Sequence, residues 1–505
     1  METEIELKFF VSAQFSGTLA SKIERFKVLQ KGRRELGNTY FDTPDKLLRQ
    51  HDIGLRIRRF DDVSVQTLKT AGRVVAGLHQ RPEYNAELSD NQLNLSLHPA
   101  DAWPDSFDIN RLQADLEPLF STNFERQQWL VALNDGSQIE IAFDQGEVIA
   151  GEQRDPICEV ELELKSGQTE ALFSLARELC SEGGIRLGNL SKAARGYRLA
   201  SGYDGDSVKA LALLETNDSH TVEQVFVNSL EHALSHWHYH EQIYVERQDH
   251  QALYQIRQSI QLIMQALAVY GEIIPRRGSA LIRQELKWLR GELNWLEEAA
   301  SIEQLVSDKG HKMRKLDARK SLVKQLKKRM ERLPSEEEML VLFQSSRYCN
   351  LLLDLSRWIL SHGWQPLLDD KSRETLSQSI RPFADEQLNY SWDELLQVFP
   401  VDSQFSADDY IGLYNKLARN LLTGVCFATL YDEEAREAFR LPWYDLLHGI
   451  EDLQQLEQIG RLLEKQPEQE DRDQIGRWLA RKQSSLLSAM QQTRDNSLTL
   501  EAYWL

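Results

Sequence analysis

Several short stretches before Leu199 alternate charged and apolar side chains one for one, and the charged half carries both signs. In Glu4-Ile5-Glu6-Leu7-Lys8, an extended strand would put Glu4, Glu6 and Lys8 on one face and Ile5 and Leu7 on the other. The pattern recurs in Leu55-Arg56-Ile57-Arg58, Glu159-Val160-Glu161-Leu162-Glu163-Leu164, Glu140-Ile141-Ala142-Phe143-Asp144, Thr67-Leu68-Lys69 and Arg81-Pro82-Glu83. Each segment has one face that can pack and one that must meet water or ions. If the apolar faces pack outward under helices, the charged faces converge inside a closed sheet. If they pack inward, the charges form a solvated exterior, as in many antiparallel sheets.

Up to about Leu199 the chain reads as short strands with two helices. Strands are expected for the opening stretch and for 34–41, 53–60, 63–70, 78–88, 124–133, 138–144 and 157–165. Asp61-Asp62 and Asn134-Asp135-Gly136 carry tight-turn chemistry, and helical patterns cover 17–29 and 169–182. So many strands without βαβ alternation predict an α+β chain that opens with an antiparallel barrel. A linker-like composition covers 203–219. Beyond it Val222, Phe226, Leu230, Ala233, Leu234 and Trp237 recur at helical spacing, predicting an all-α domain of eight to twelve helices over 220–505.

A length of 505 residues implies at least two domains, and 41% hydrophobic with 27% charged residues is a soluble globular mix. The most apolar patch, 351–358, is cut by Asp354 and Arg357, so no spanning helix is expected. The start lacks the basic and apolar regions of a secretory leader, which with four scattered cysteines points to a cytoplasmic, reducing setting. A net charge of -19 speaks against a nucleic-acid partner. It leaves room for a local cationic pocket that captures phosphate.

An interior wall of mixed charge is costly unless it is hydrated, paired or filled by a complementary ligand. Cations on some strands and carboxylates on others suit a linear polyphosphate held along its length by Arg and Lys, with Mg²⁺ or Mn²⁺ ligated by the acids.

The Glu4-to-Lys8 stretch resembles the ExExK signature of the CYTH family, whose fold is an eight-stranded triphosphate tunnel. Residues 1–202 are similar to that family throughout, including Leu55-Arg56-Ile57-Arg58, 77–83, Glu161-Leu162-Glu163 and 190–197. The helical part resembles the CHAD domain, and the order CYTH then CHAD is that of bacterial inorganic triphosphatases. The resemblance implies metal-dependent hydrolysis of inorganic triphosphate to pyrophosphate and phosphate. It implies metal ligation by Glu4, Glu6, Asp144, Glu161 and Glu163, with Glu159 and Glu83 as further ligands or partners. Triphosphate contacts would be Lys8, Arg56, Arg58, Lys69, Arg81, Arg126 and Lys192, and Glu161, Glu163 and Lys8 would serve the chemical step. Lys192 and Arg195, in a chain turn after the second helix, would close one end of the tunnel. His79 reads as a structural histidine beside Arg81.

The segment 253–260 retains Arg257 where the CHAD pattern has a histidine and a basic cluster, which weakens a histidine-based role there. His232 and His236, one helical turn apart with His238 and His240 nearby, have spacing that suits a transition metal or a plain helix face. The run 309–332 holds eleven Lys or Arg against Asp317 and Glu331, either a solvated face or a dock for long-chain polyphosphate. Competing readings are an adenylate cyclase or thiamine triphosphatase on the same tunnel, with Tyr84 or Trp129 as a stacking platform, and a non-catalytic polyphosphate binder.

Overall fold

The computed structural model describes residues 2–75, 77–203, 205–307, 319–401, 403–463 and 469–505. They fall into two compact units, Met1–Ser207 with Glu337–His362, and Val208–Glu336 with Gly363–Leu505.

The first unit is built on strands β1 (Glu2–Val11), β2 (Lys27–Asp42), β3 (Gly54–Phe60), β4 (Val63–Lys69), β5 (Arg73–Val75), β6 (Leu78–Leu88), β7 (Glu117–Ala132), β8 (Gln138–Ala150), β9 (Gln153–Ser166) and β10 (Ile185–Leu187). Neighbours run β1-β9-β8-β7-β2-β3-β4-β6, and β6 pairs back onto β1, so eight antiparallel strands close a barrel. The short β5 and β10 are additions on β6 and β1. The eight barrel strands are the eight expected from alternation. β2 and β7 run longer than their patterns because they pair with each other from Lys27 opposite Ala132 to Asp42 opposite Glu117. The β3–β4 hairpin turns at Asp61 with φ 50°, and the β7–β8 hairpin at Gly136 with φ 88°.

Helix α1 spans Ala13–Ile23 instead of 17–29. Ser12 caps it by accepting from Phe15 N–H at 3.2 Å, and the residues from Lys27 onward are taken by β2. The unit also holds α2 (Leu47–Gln50), α3 (Ile109–Asp115), α4 (Thr169–Leu179) and α5 (Lys192–Ala200). The apolar half of the alternation points outward. Leu7, Phe9, Ile141, Val160 and Leu162 are fully buried on the side where α4 packs on β1 and β9. Leu55, Leu68 and Tyr84 are covered by Leu95, Trp103 and Leu112 from the excursion between β6 and β7. Each such side chain contributes about 1.5–3 kcal/mol by leaving water, so these contacts fix which face of every strand is left for the lumen.

The remaining helices are α6 (Val222–Arg247), α7 (His250–Val269), α8 (Ala280–Glu292), α9 (Trp295–Ser307), α10 (Arg319–Met330), α11 (Glu336–Phe343), α12 (Ser346–Leu360), α13 (Asp370–Ser377), α14 (Ile380–Val398), α15 (Ala407–Cys426), α16 (Glu433–Leu463) and α17 (Gln469–Ser497). The stripe from Val222 to Trp237 is buried, and a Thr221/Gln224 capping box starts α6. The segment 337–362, with α12 and most of α11, belongs to the barrel unit, although it lies inside the stretch expected to be a separate helical domain.

Candidate functional site in the barrel lumen

A cavity of about 260 Å³ occupies the lumen. Glu4, Glu6, Lys8, Arg56, Arg58, Lys69, Arg81, Arg126, Glu161, Glu163 and Lys192 all line it, as do Glu83 and His79. Asp144 and Glu159 do not border the cavity: both are completely buried, on the same strand faces as Glu140 and Glu161 and paired with the lining cations Arg126, Lys8 and Lys192. Strand register explains the convergence, because Glu6 lies opposite Glu163, Lys8 opposite Glu161, Arg126 opposite Asp144, and Arg56 opposite Tyr40.

The lining holds one densely paired cluster, several single ion pairs, and charges that have no opposite partner among the described residues. In the cluster Arg126 grips Asp144 with two bonds of 2.7 and 2.6 Å and reaches Glu161 at 2.7 Å. Lys8 Nζ lies 2.6 Å from Glu161 and 3.4 Å from Glu159. Lys192 Nζ lies 2.6 Å from Asp144 and 3.0 Å from Glu161, and it also bonds Glu159. Burial would push the Glu161 carboxyl up, but Lys192, Lys8 and Arg126 outweigh it and hold it far below the usual carboxylate range. Asp144, Glu159 and Glu161 form the one set of three carboxylates among the described residues with oxygens within 4.8 Å of one another. Lys8, Arg126 and Lys192 already neutralise that set, and Arg195 stands 3.6 Å from Glu159.

Lys192 is delivered by a helix, not by a chain turn. It is the first residue of α5, whose Ser191 cap accepts from Ala194 N–H at 3.1 Å. Near it Tyr197 packs on Phe120 and Phe120 stacks on Tyr40, while the Phe124 ring lies 5.0 Å from the Lys192 ammonium. Arg195 does not border the cavity; it bonds Asp155 at 2.7 Å and lies 3.6 Å from Glu159.

Arg56, Arg58 and Glu6 are among the lining charges without an opposite partner. Arg58 bonds only the Asn38 amide oxygen, at 2.9 Å, and Arg56 the Tyr40 hydroxyl, at 3.3 Å. Neither has a carboxylate within ion-pair distance among the described residues. Burial first, then the positive fields of Arg56 and Arg126, bring the Arg58 guanidinium down to about 9. Glu6 is the acidic counterpart: burial, then the adjacent Glu161, lift its carboxyl to about 7. Burial lifts Glu163 as well, although Lys165 stands at 2.6 Å. Lys69 bridges Glu4 and Glu83, the latter at 2.9 Å, and Arg81 holds Asp52 at 3.0 Å.

A hard divalent cation takes carboxylate oxygens; Glu6 offers them where negative charge is least compensated, and Glu4 and Glu163, each beside a lysine, line the same lumen. The donor set fits Mg²⁺ or Mn²⁺. His79 is driven down to about 3 by burial, Lys8 and Arg81, so it is neutral near pH 7 and no proton donor.

Tyr40, Asn85, Glu140 and Lys165 also line the cavity and were not assigned from the sequence. Asn85 and Lys165 share strand parity with Glu83 and Glu163, a signal that could have found them. Tyr84 and Trp129 are buried outside the lumen and offer no stacking surface within it.

In the helical unit the histidines are used internally. His236 Nε2 meets the Gln255 side chain at 3.0 Å, His240 Nδ1 the His236 carbonyl at 2.8 Å, and His232 Nε2 the Ala212 carbonyl at 2.8 Å. A cavity of about 530 Å³ includes Arg257, Arg329 and Arg461, each bonded to a glutamate: Glu297, Glu298 and Glu457. On α10, Leu322 and Leu326 enter the core while Lys320, Lys324, Lys327 and Lys328 are exposed. The first part of the basic run, 309–318, lies outside the described residues.

Two family models match the chain, and the second includes the segment 337–362 that belongs to the barrel unit. Residues 2–197 match the CYTH domain family model and residues 228–464 the CHAD domain model. An inorganic triphosphatase of Haemophilus influenzae is 44% identical over 206 residues, 40% of this chain and 56% of that protein, so the aligned part spans little more than half of the relative. Similar solved structures include a Hippeastrum protein described as an adenylyl cyclase with a dominant triphosphatase activity, at 20% identity and TM-score 0.30, covering 40% of this chain and 96% of that one. Another is the CHAD domain of Ricinus communis, at 20% identity and TM-score 0.42, covering 58% of this chain and 91% of that one. No described helix is long and apolar enough to cross a membrane.

Proposed function

We propose that this chain, which carries a CYTH domain followed by a CHAD domain, hydrolyses inorganic triphosphate to pyrophosphate and phosphate in the barrel lumen with Mg²⁺ or Mn²⁺. The observation that carries the reading is the coexistence in one lumen of arginines without anions, Arg56 and Arg58, and an acid without a cation, Glu6. A phosphate chain bearing a divalent ion completes both at once. Eight cationic and six carboxylate side chains line the cavity, so the lining alone falls short of neutralising a triphosphate.

In this reading Arg56 and Arg58 grip phosphate oxygens with planar donors, and Lys69 and Arg81 add charge further along. Lys8, Arg126 and Lys192 have two tasks. They hold Glu161 ionised, and they present their remaining donors to the oxygen charge that develops as a phosphoryl group leaves. Glu4, Glu6 and Glu163 would hold the metal ions, which when bound neutralise phosphate charge and lower the pKa of an attacking water. Glu161 and Glu163 would orient that water. Because Tyr40 is the one Phe, Tyr or Trp lining the cavity among the described residues, there is little surface to stack a base or a thiazolium ring, which favours inorganic triphosphate over ATP or thiamine triphosphate.

Phosphate release from triphosphate, ATP, thiamine triphosphate and long polyphosphate, with and without Mg²⁺ or Mn²⁺, tests this directly. Metal-dependent release from triphosphate well ahead of the others is expected; equal rates, or none, refute it. The exposed lysines of α10 support a second role, docking of long-chain polyphosphate on the helical unit. Its affinity should fall steeply with ionic strength, and salt-indifferent binding would reject it.

A further inference from the structure

Two of the four cysteines, far apart in sequence, meet inside the barrel unit. Cys180 closes α4 and Cys349 lies in α12; their sulfurs are 2.9 Å apart across a sequence separation of 169 residues, and both side chains are fully buried. The bonded separation is only about 1 Å less. Other contacts hold the same pair of helices in register. Arg177 clasps Asp354 with bonds of 2.9 and 3.0 Å, and Gly184 N–H donates to the Gln344 carbonyl at 2.8 Å. Gly183 and Gly184, both at positive φ, make the turn that brings the chain from α4 into β10 beside α12. Neither thiol lines the lumen, so the chemistry proposed there leaves the pair unused.

We propose that Cys180 and Cys349 are a redox modification site, a thiol pair that hydrogen peroxide converts to a disulfide. One thiolate attacks a peroxide oxygen and breaks the O–O bond, giving a sulfenic acid and, after protonation, water. The second thiol then displaces the sulfenic oxygen, the S–S bond forms and a second water leaves. Two thiols are oxidised, one peroxide is reduced, and both protons end in water. In a reducing compartment the pair stays as thiols and serves as packing; under peroxide it joins covalently. The consequence is local and specific. A segment within the CHAD match becomes fastened to the last long helix of the CYTH match, and the long loop closed by the bond restricts separation of α4 from α12. β10, which α12 touches, leads into α5, whose first residue is Lys192, so the fastening lies next to the segment that supplies one of the lumen cations.

The test uses the full chain, treated with graded hydrogen peroxide, alkylated and digested with trypsin without reduction. The expected product is a cross-linked pair of peptides 178–186 and 348–357, with a loss of two hydrogens from the intact mass and reversal by dithiothreitol. Hydrogen exchange in those peptides should slow about tenfold or more on oxidation and return on reduction. Cys158→Ser should keep the cross-link and Cys349→Ser should abolish it, while the wild-type map stands without either variant. Cys180 and Cys349 remaining free thiols under doses that oxidise the half-buried Cys158 would overturn the proposal. So would their conversion to unlinked sulfinic or sulfonic acids.

Discussion

Replacing Glu6 by Gln should make the metal-free protein more stable and catalytically inert. The Glu6 carboxyl is raised from 4.5 to about 7, with burial first and the Glu161 charge second. A raised carboxyl favours the folded state fully below its unfolded value and loses that advantage as pH climbs through its folded value. Between about pH 4.5 and 7 the native protein therefore gives up stability that at pH 8 amounts to about 3 kcal/mol. Gln cannot ionise and is free of this loss. Calorimetry in chelator should show the barrel transition of Glu6→Gln about 6–12 °C above wild type at pH 8. The difference should fade to nothing near pH 4.5. Saturating Mg²⁺ should narrow the gap at pH 8 by stabilising only the wild type, and triphosphate turnover should drop at least about a hundredfold in the variant. An equal temperature difference at both pH values, or a variant less stable at pH 8, would refute the view that Glu6 is an acid awaiting a cation.

Arg58→Met should raise the KM for triphosphate about tenfold to a hundredfold, the worth of a charged hydrogen bond, with Arg58→Lys recovering part of it in steady-state assays. Lys192→Met should leave Asp144 and Glu159 short of positive charge and cost about 3–5 kcal/mol in denaturant titrations at pH 7. Because Arg126 and Lys192 depress Asp144 against the pull of burial, the stability from that pairing is present above its ordinary range and fades as pH falls, so the Lys192→Met cost should shrink toward pH 4. Asp144→Asn separates the two roles open to this acid. As the buried partner of Arg126 it should lose stability equally with and without Mg²⁺ while the activating Mg²⁺ concentration stays unchanged; a large rise in that concentration would mark it as a metal ligand.

The barrel was legible because alternation is a covalent fact and burial has only two sides of a strand to choose between. Ile5, Leu7, Leu55, Ile57, Ile141 and Leu162 could pack under helices, so Glu4, Arg56, Glu140 and Glu161 had to face the lumen. Elements without a repeat were less visible. β5 and β10 have three residues each, too few for a pattern, and α5 hid because Lys192 and Arg195 interrupt its short apolar stripe. The joining of 337–362 to the barrel unit left no sequence signal, since α12 looks like any amphipathic helix until its partner face is known.

Division of labour within the lumen is a different matter, because pairing is a property of space. Strand parity puts Glu6 and Glu161 on neighbouring strands with the same orientation, and nothing in one dimension tells them apart. Lys8, Lys192 and Arg126 come from β1, α5 and β7, and all three converge on Glu161 while none bonds Glu6. One carboxyl is thereby held ionised and the other is lifted to about 7, opposite shifts for two acids on one wall. Asp144, on the same strand face as Glu140, is fully buried and taken up by Arg126 and Lys192. Residual charge after internal pairing, rather than charged residues as such, is what a ligand meets, and by that measure Arg56, Arg58 and Glu6 form the part of this lumen with most to gain from a metal-bearing phosphate chain.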